Sequence, residues 1–270
     1  MTPAVPAVPT LRSFPGSSRL LIVPSGGRNA RHVRTLAGSS DWRRGLVDRV
    51  GSTIIAISGP RHLRTAPAGW QWPDLSFEQI TAALQPSLPG IRLLGAALPR
   101  QLGRRRLSML CRYAGNSIVL KLGVDDSATS LRVEADVLRL LTLRPIPGIA
   151  TPELISVGSF QPESTTADSA ITFVATTAIG LTSQRAAIDV RLRTFGADLA
   201  ERLAPLPKPE TCLADAVPIH GDLTPWNLRR TSRGLALFDW ESASWGAAGS
   251  DMTTYRSACD QVRPFWRSLG

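Results

Sequence analysis

Ile219-His-Gly-Asp-Leu-Thr-Pro-Trp-Asn227, followed by Leu235-Ala-Leu-Phe-Asp-Trp-Glu241, holds the densest chemistry in this chain of 270 residues. These runs set one aspartate at position 222, an asparagine five residues on, and a second aspartate twelve residues further. Short apolar segments flank a turn at Arg233-Gly234, and a strand hairpin there would bring Asn227 and Asp239 together. An amide oxygen and a carboxylate suit magnesium, a hard cation that keeps water and phosphate ligands rather than needing a full protein cage. Phosphoryl transfer asks little covalent help of a protein, mainly an oriented hydroxyl and neutralised phosphate charge. Asp222 suits the first task, because a carboxylate accepts a hydrogen bond from the hydroxyl and takes its proton late. His220 and Gly221 are expected to shape the turn rather than react.

Taken together, H-G-D-x-x-x-x-N ahead of an apolar strand and D-W-E resembles the catalytic and metal-binding signature of aminoglycoside phosphotransferases and choline kinases. It is similar to the H-R-D and D-F-G pair of protein kinases. The resemblance spans residues 93 to 256 and is strongest from 219 to 241. It implies an α+β, two-lobed protein-kinase-like fold that uses ATP and Mg2+, with Asp222 as catalytic base and Asn227 and Asp239 on the metal. It further implies a lysine on the third strand of the small lobe, paired with a glutamate on the next helix. Lys121 in Ile118-Val-Leu-Lys-Leu122 and Glu134 in Leu131-Arg-Val-Glu-Ala135 stand in those places, with Asp136 as a rival to Glu134. Ile171-Thr-Phe-Val-Ala-Thr-Thr177 sits where such proteins have their interlobe hinge, so Val174, Ala175 and Thr176 are expected to offer backbone hydrogen bonds to adenine. Asp251, in Gly249-Ser-Asp-Met252, matches an aspartate that follows D-W-E, and a capping role is expected for it.

Composition narrows the partners. The formal net charge is +10, yet Lys121 and Lys208 are the only lysines, and the arginines are scattered along the chain. That pattern argues against a stable nucleic-acid partner, which would call for clustered cations along one face. The densest run, Arg104-Arg105-Arg106, reads as a solvated or phosphate-facing loop. No stretch of eighteen uncharged apolar residues exists to span a membrane. Cys111, Cys212 and Cys259 are odd in number and lack C-x-x-C spacing, which disfavours a disulfide framework or zinc site and suits a reducing cytoplasm.

Patterning along the chain divides it into a flexible tail (1–18), a small α/β extension (19–90), a kinase-like N-lobe (91–176) and a short, truncated C-lobe (177–270). Within the extension, Arg19 to Pro24 and Ser52 to Ser58 read as strands around a helix from Asn29 to Val50, and Pro60 to Pro73 as a linker or docking strip. Three strands are expected at Ile91–Gly95, Ser108–Tyr113 and Ser117–Leu122, with a tight turn at Gly115-Asn116, then a helix from Ser127 to Leu141. Thr151 to Val157 and Ile171 to Thr176 read as further strands, and Ala186 to Leu203 as a helix. No Gly-rich motif stands between Gly95 and Ser108, where a nucleotide-covering loop belongs. The acceptor expected is a small molecule bearing a hydroxyl: a sugar, an amino sugar or an amino alcohol. The alternative is a catalytically weak or inactive kinase-like binding or scaffold protein, meeting a protein partner through residues 1–90 or the short C-lobe.

Overall fold

Ala114 and Gly115 both adopt positive φ, 46° and 80°, and these two residues alone join strands β4 (Arg106–Tyr113) and β5 (Asn116–Gly123). Positive φ at both central positions is the geometry whose twist matches paired strands. The turn lies one residue before the expected Gly115-Asn116, because Asn116 already pairs with Tyr113. The hairpin puts Leu107, Met109 and Cys111 directly across from Leu122, Leu120 and Ile118, so that six apolar side chains share one buried face. Alternation sends Lys121 to the other face.

The structure is a computed structural model that describes residues 12–13, 20–22, 72, 75–97, 105–161, 170–179, 194–231 and 234–266. Its main sheet has seven antiparallel strands. In spatial order these are β1 (Arg12–Ser13), β2 (Leu20–Ile22), β3 (Arg92–Ala97), β4, β5, β8 (Ile171–Thr177) and β7 (Leu154–Phe160). Helix α1 (Phe77–Leu84) opens with a capping box in which Ser76 and Gln79 bond reciprocally. Its apolar face enters the core beneath the sheet: Trp72, Leu75, Phe77, Ile80, Leu84 and Leu88 pack with the six hairpin residues and Phe173. Helix α2 (Asp126–Leu143) covers the opposite face, where Leu131 and Ala135 meet Val174.

The far half of α2 belongs to a second core. Val137, Leu138 and Leu141 pack with Phe195, Leu199 and Leu203 of α3 (Phe195–Leu203), and with Leu228, Leu237, Trp240 and Tyr255. A small sheet runs β10 (Leu228–Thr231), β11 (Gly234–Leu237) and β6 (Ile149–Ala150), the last pair parallel. Strands β9 (Val217–Ile219) and β12 (Ser244–Gly246) form another pair, and α4 (Ser250–Trp266) follows. The α+β, two-lobed expectation thus matches the architecture, with α2 serving both cores.

Several details differ from the expectation. Arg12 and Ser13, placed in the tail, pair with β2. Strand β2 joins the kinase-like sheet through β3, with Leu20 across from Ala97 and Ile22 across from Gly95, instead of belonging to a separate unit. Trp72, read as part of a linker, is buried under the sheet together with α1, so the core runs unbroken across the expected boundary at 90/91. The expected helix at 29–50 and strand at 52–58 lie outside the described residues, as do 186–193 of the expected helix at 186–203. The expected strand at 151–157 is shifted: β7 starts at Leu154 and runs on to Phe160 beside β8, and a separate short strand just ahead of it, Ile149–Ala150, pairs with β11.

Because Ile80 is fully buried in the shared core, Ile80→Ala is expected to lower the unfolding free energy by about 2–5 kcal/mol in urea. The loss should appear in a single transition that includes the sheet. A separate early transition, with the main one unmoved, would show that α1 belongs to an independent unit.

Candidate active site

The loop between β9 and β10 is held by its backbone. Gly221 has φ +80°, and a Cβ there would lie 2.0 Å from the carbonyl oxygen of Ser242, so no other residue fits. Asp251, buried in the first turn of α4, accepts hydrogen bonds from the backbone N–H groups of His220 at 2.7 Å and Gly221 at 3.0 Å. His220 is fully buried, and its Nδ1 accepts from the N–H of Asp222. Nε2 therefore carries the proton and donates to the Phe238 carbonyl at 2.9 Å. Burial pushes the imidazole pKa below its ordinary value, against the opposing pull of Asp251, the Phe238 carbonyl, Asp239 and Asp222. The ring is thus neutral and serves as a brace, tilted against Trp240 at 4.6 Å.

Asn227 Nδ2 donates to both the carbonyl and the carboxylate Oδ2 of Asp222 at 2.9 Å. Among the described residues Oδ1 of Asn227 then has no partner. The Phe238 N–H donates to the Asn227 carbonyl, and Leu228 faces Leu237 across the hairpin, which brings the end of one motif to the start of the next. Asp239 itself is in the left-handed conformation, φ 65°, at the entry to the short helical turn Trp240–Ser242.

Across from that turn stand the cations. Lys121 Nζ donates to both carboxylate oxygens of Glu134, at 2.6 and 2.7 Å, and to Asp239 Oδ1 at 2.7 Å. Glu134 occupies the buried stripe of α2 between Leu131 and Leu138, whereas its rival Asp136 is exposed and paired with Arg139. A second cation was not singled out by the sequence: Arg106, the first residue of β4, donates from one terminal nitrogen to Asp239 Oδ1 at 3.0 Å and from the other to Glu241. Glu134, Asp239 and Glu241 bring oxygens within 4.8 Å of one another, and two cations against three carboxylates leave one net negative charge. Burial works against the Asp239 charge, but Lys121 and then Arg106 outweigh it and hold the carboxyl well below the usual carboxylate range.

The expected residues Lys121, Glu134 and Asp239 are therefore linked by hydrogen bonds, and Asn227 and Asp222 join them through Phe238, the residue before Asp239. The expected hinge residues fall elsewhere. Val174 pairs with Lys121 and Val157, Ala175 with Leu120 and Ser156, and Thr176 with Val119 and Leu154. A strand flanked on both edges spends its backbone donors and acceptors on the ladder, so these three positions are a strand interior, not a hinge. Sequence reasoning gave Arg106 only within a solvated or phosphate-facing run, and Glu241 only as the end of D-W-E. Arg106 was visible only as one of three consecutive arginines, and nothing local separates the one that turns inward.

A two-lobed fold with a lysine–glutamate pair facing two turns that carry an aspartate–asparagine set and a second aspartate defines a protein-kinase-like phosphotransferase scaffold. The sequence profile of the phosphotransferase enzyme family matches residues 82–268, well over half of the chain, and the chain belongs to that family. Among curated proteins none matches. Solved structures that resemble it include amicoumacin kinase hAmiN in complex with AMP-PNP and Ca2+, 14% identical, covering 70% of this chain and 71% of that one, with a TM-score of 0.44. The aminoglycoside-3'-phosphotransferase of type VIII is 17% identical over 67% of this chain and 83% of that one, TM-score 0.43. Spectinomycin phosphotransferase with ADP and spectinomycin is 13% identical over 66% and 72%, TM-score 0.41. Among the described residues no helix is long and apolar enough to cross a membrane.

The neutral His220 carries a pH signature. Its folded pKa lies below the unfolded value, so the unfolded chain binds the extra proton first as pH falls. The stability tied to the neutral ring is complete above about pH 6.5 and is lost below it, with a slope of at most about 1.4 kcal/mol per pH unit. Urea unfolding from pH 8 to 5 is expected to show this decline, and His220→Gln to flatten it. Parallel profiles for the two proteins would assign the decline to other groups.

Proposed function

We propose that this protein is an ATP- and magnesium-dependent phosphotransferase acting on a hydroxyl of a small molecule, a sugar, amino sugar or amino alcohol. The observation that carries the reading is Lys121, held at 2.6–2.7 Å by Glu134 and Asp239 opposite the loop bearing Asp222 and Asn227. The oxygens suited to a hard cation are the ones left over: Asn227 Oδ1, and Asp239 Oδ2, which accepts no hydrogen bond among the described residues. Magnesium held there by Asn227 and Asp239 would supply positive charge that neutralises the phosphates. Lys121, kept extended by Glu134, contacts the nucleotide phosphates. Asp222, with one carboxylate oxygen pinned by Asn227, receives the acceptor hydroxyl. As the hydroxyl oxygen bonds to the terminal phosphorus, the bond to the departing diphosphate breaks and the proton passes to Asp222. Adenine belongs just beyond Thr177, where the ladder that occupies Val174 to Thr176 ends.

The net charge of +10 disfavours a polycationic acceptor and favours a neutral or weakly charged one. The alternative of a binding or scaffold protein is disfavoured by the retention of Lys121, Glu134, Asp222, Asn227 and Asp239 in one hydrogen-bonded arrangement, since a protein without catalysis has no chemical need for the set.

Calorimetry with ATP and magnesium tests the assignment. Asp239→Ala is expected to abolish the magnesium-dependent part of ATP binding, whereas Asp222→Asn should bind ATP normally and lose turnover about 100- to 10,000-fold on whichever sugar or amino alcohol stimulates the wild type. Normal magnesium dependence in Asp239→Ala would remove Asp239 from the metal. Tight ATP binding with no turnover on any acceptor would leave the scaffold reading standing.

A further inference from the structure

We infer that Arg106 is a phosphate-contacting residue of the nucleotide site, the second cation beside Lys121 and the substitute for a Gly-rich covering loop. The inference rests on the phosphotransferase reading above. Arg106 opens β4, at the base of the β3–β4 connection, which is where a covering loop belongs and where the sequence offers four arginines and a single glycine. Its neighbour Arg105 turns outward to a half-exposed pair with Asp125. Arg106 turns inward, its side chain only 12% exposed, and reaches across 133 positions of chain to Asp239.

Both terminal nitrogens of the guanidinium are anchored on carboxylates. One terminal nitrogen donates to Glu241, whose side chain is 5% exposed, so that this buried carboxylate has a fixed cationic partner. The other donates to Asp239 Oδ1, the same oxygen that Lys121 binds. A guanidinium has five N–H donors, and these two bonds leave donors without partners among the described residues. Glu241 and Asp239 therefore hold the fork next to Lys121, with donors to spare, at the oxygen where Lys121 and Asp239 meet. A planar fork of donors matches phosphate oxygens better than a point charge does. Arg106 and Lys121 together would supply two positive charges to phosphate on the cleft side of Asp239, without relying on backbone N–H groups from a glycine loop.

A purely structural arginine would also bridge Asp239 and Glu241, and a ladder of ligands separates the two. Dissociation constants for adenosine, ADP and ATP are measured by calorimetry, with and without magnesium, on wild type, Arg106→Met, Arg106→Lys and Glu241→Gln, with thermal unfolding of each as a control. Arg106→Met is expected to leave adenosine affinity unchanged and to weaken ATP about 10- to 100-fold, the worth of a hydrogen bond between charged groups. Arg106→Lys should recover part of that loss. Glu241→Gln, which keeps the guanidinium, should retain most of the gain in affinity from adenosine to ATP. Equal losses for all three ligands, equal ladders in Arg106→Met and Glu241→Gln, or an Arg106→Met protein that binds ATP as well as or better than wild type would each overturn the inference. Wild type that binds no ATP with magnesium would overturn the phosphotransferase reading and this inference together.

Discussion

One carboxylate oxygen, Oδ1 of Asp239, is shared by two cations that arrive from different strands of the main sheet. Charge out of water is costly unless it is paired and hydrogen-bonded, so each member of the cluster constrains the next. Lys121 is tied to Glu134, which places α2 against the sheet. Arg106 is tied to Glu241, which places the short turn after Asp239 against the start of β4. Sheet, helix and turn, which come from both cores, are thereby held to one geometry around a small group of ions. Removing Lys121 or Arg106 takes from buried Glu134 or Glu241 the cation it is paired with, so the cost of such a change is not local.

The loop that carries Asp222 is held by a different means. There the constraint is steric and made through the backbone: Gly221 passes so close to Ser242 that a side chain has no room, and Asp251 binds the two consecutive N–H groups at the bend. His220 then connects the bend to Phe238, the residue before Asp239, while Asn227 connects the far end of the loop to Asp222. The two motifs are adjacent in space because their hydrogen bonds run between backbones and short side chains, which tolerate little displacement. Function on such a scaffold depends on preorganised groups rather than on moving them into place.

Much of this was legible beforehand, for reasons that particular residues make plain. The resemblance implied the Lys121–Glu134 pair, and two periodicities agree with it: alternation in Ser117–Leu122 puts Lys121 opposite the apolar face, and the stripe of α2 puts Glu134 on the buried side. The hinge was misplaced at Val174 to Thr176 because an apolar run shows that a strand exists but not which of its residues have neighbours on both edges. Strand β2 and helix α1 were assigned to a separate unit because local patterning does not reveal that Leu20–Ile22 pairs with β3, or that Trp72 and Ile80 share a core with residues of the hairpin. Asp251 was recognised as a cap, yet its two bonded partners are set by contacts across thirty positions of chain.

By itself the sequence determined the chemistry within reach, through residue type and short-range spacing (the Asp222–Asn227 interval, the apolar strand ahead of Asp239), and the resemblance those motifs carry implied the class of fold and the places of Lys121 and Glu134. Only the tertiary structure decided which arginine of the run at 104–106 faces the site, which carboxylates it joins, and how far the N-terminal core extends. The first two depend on contacts between residues 133 and 135 positions apart, and the third on pairings such as Leu20 with Ala97. Such contacts are chosen by burial and charge balance in the packed molecule and leave no periodic trace along the chain.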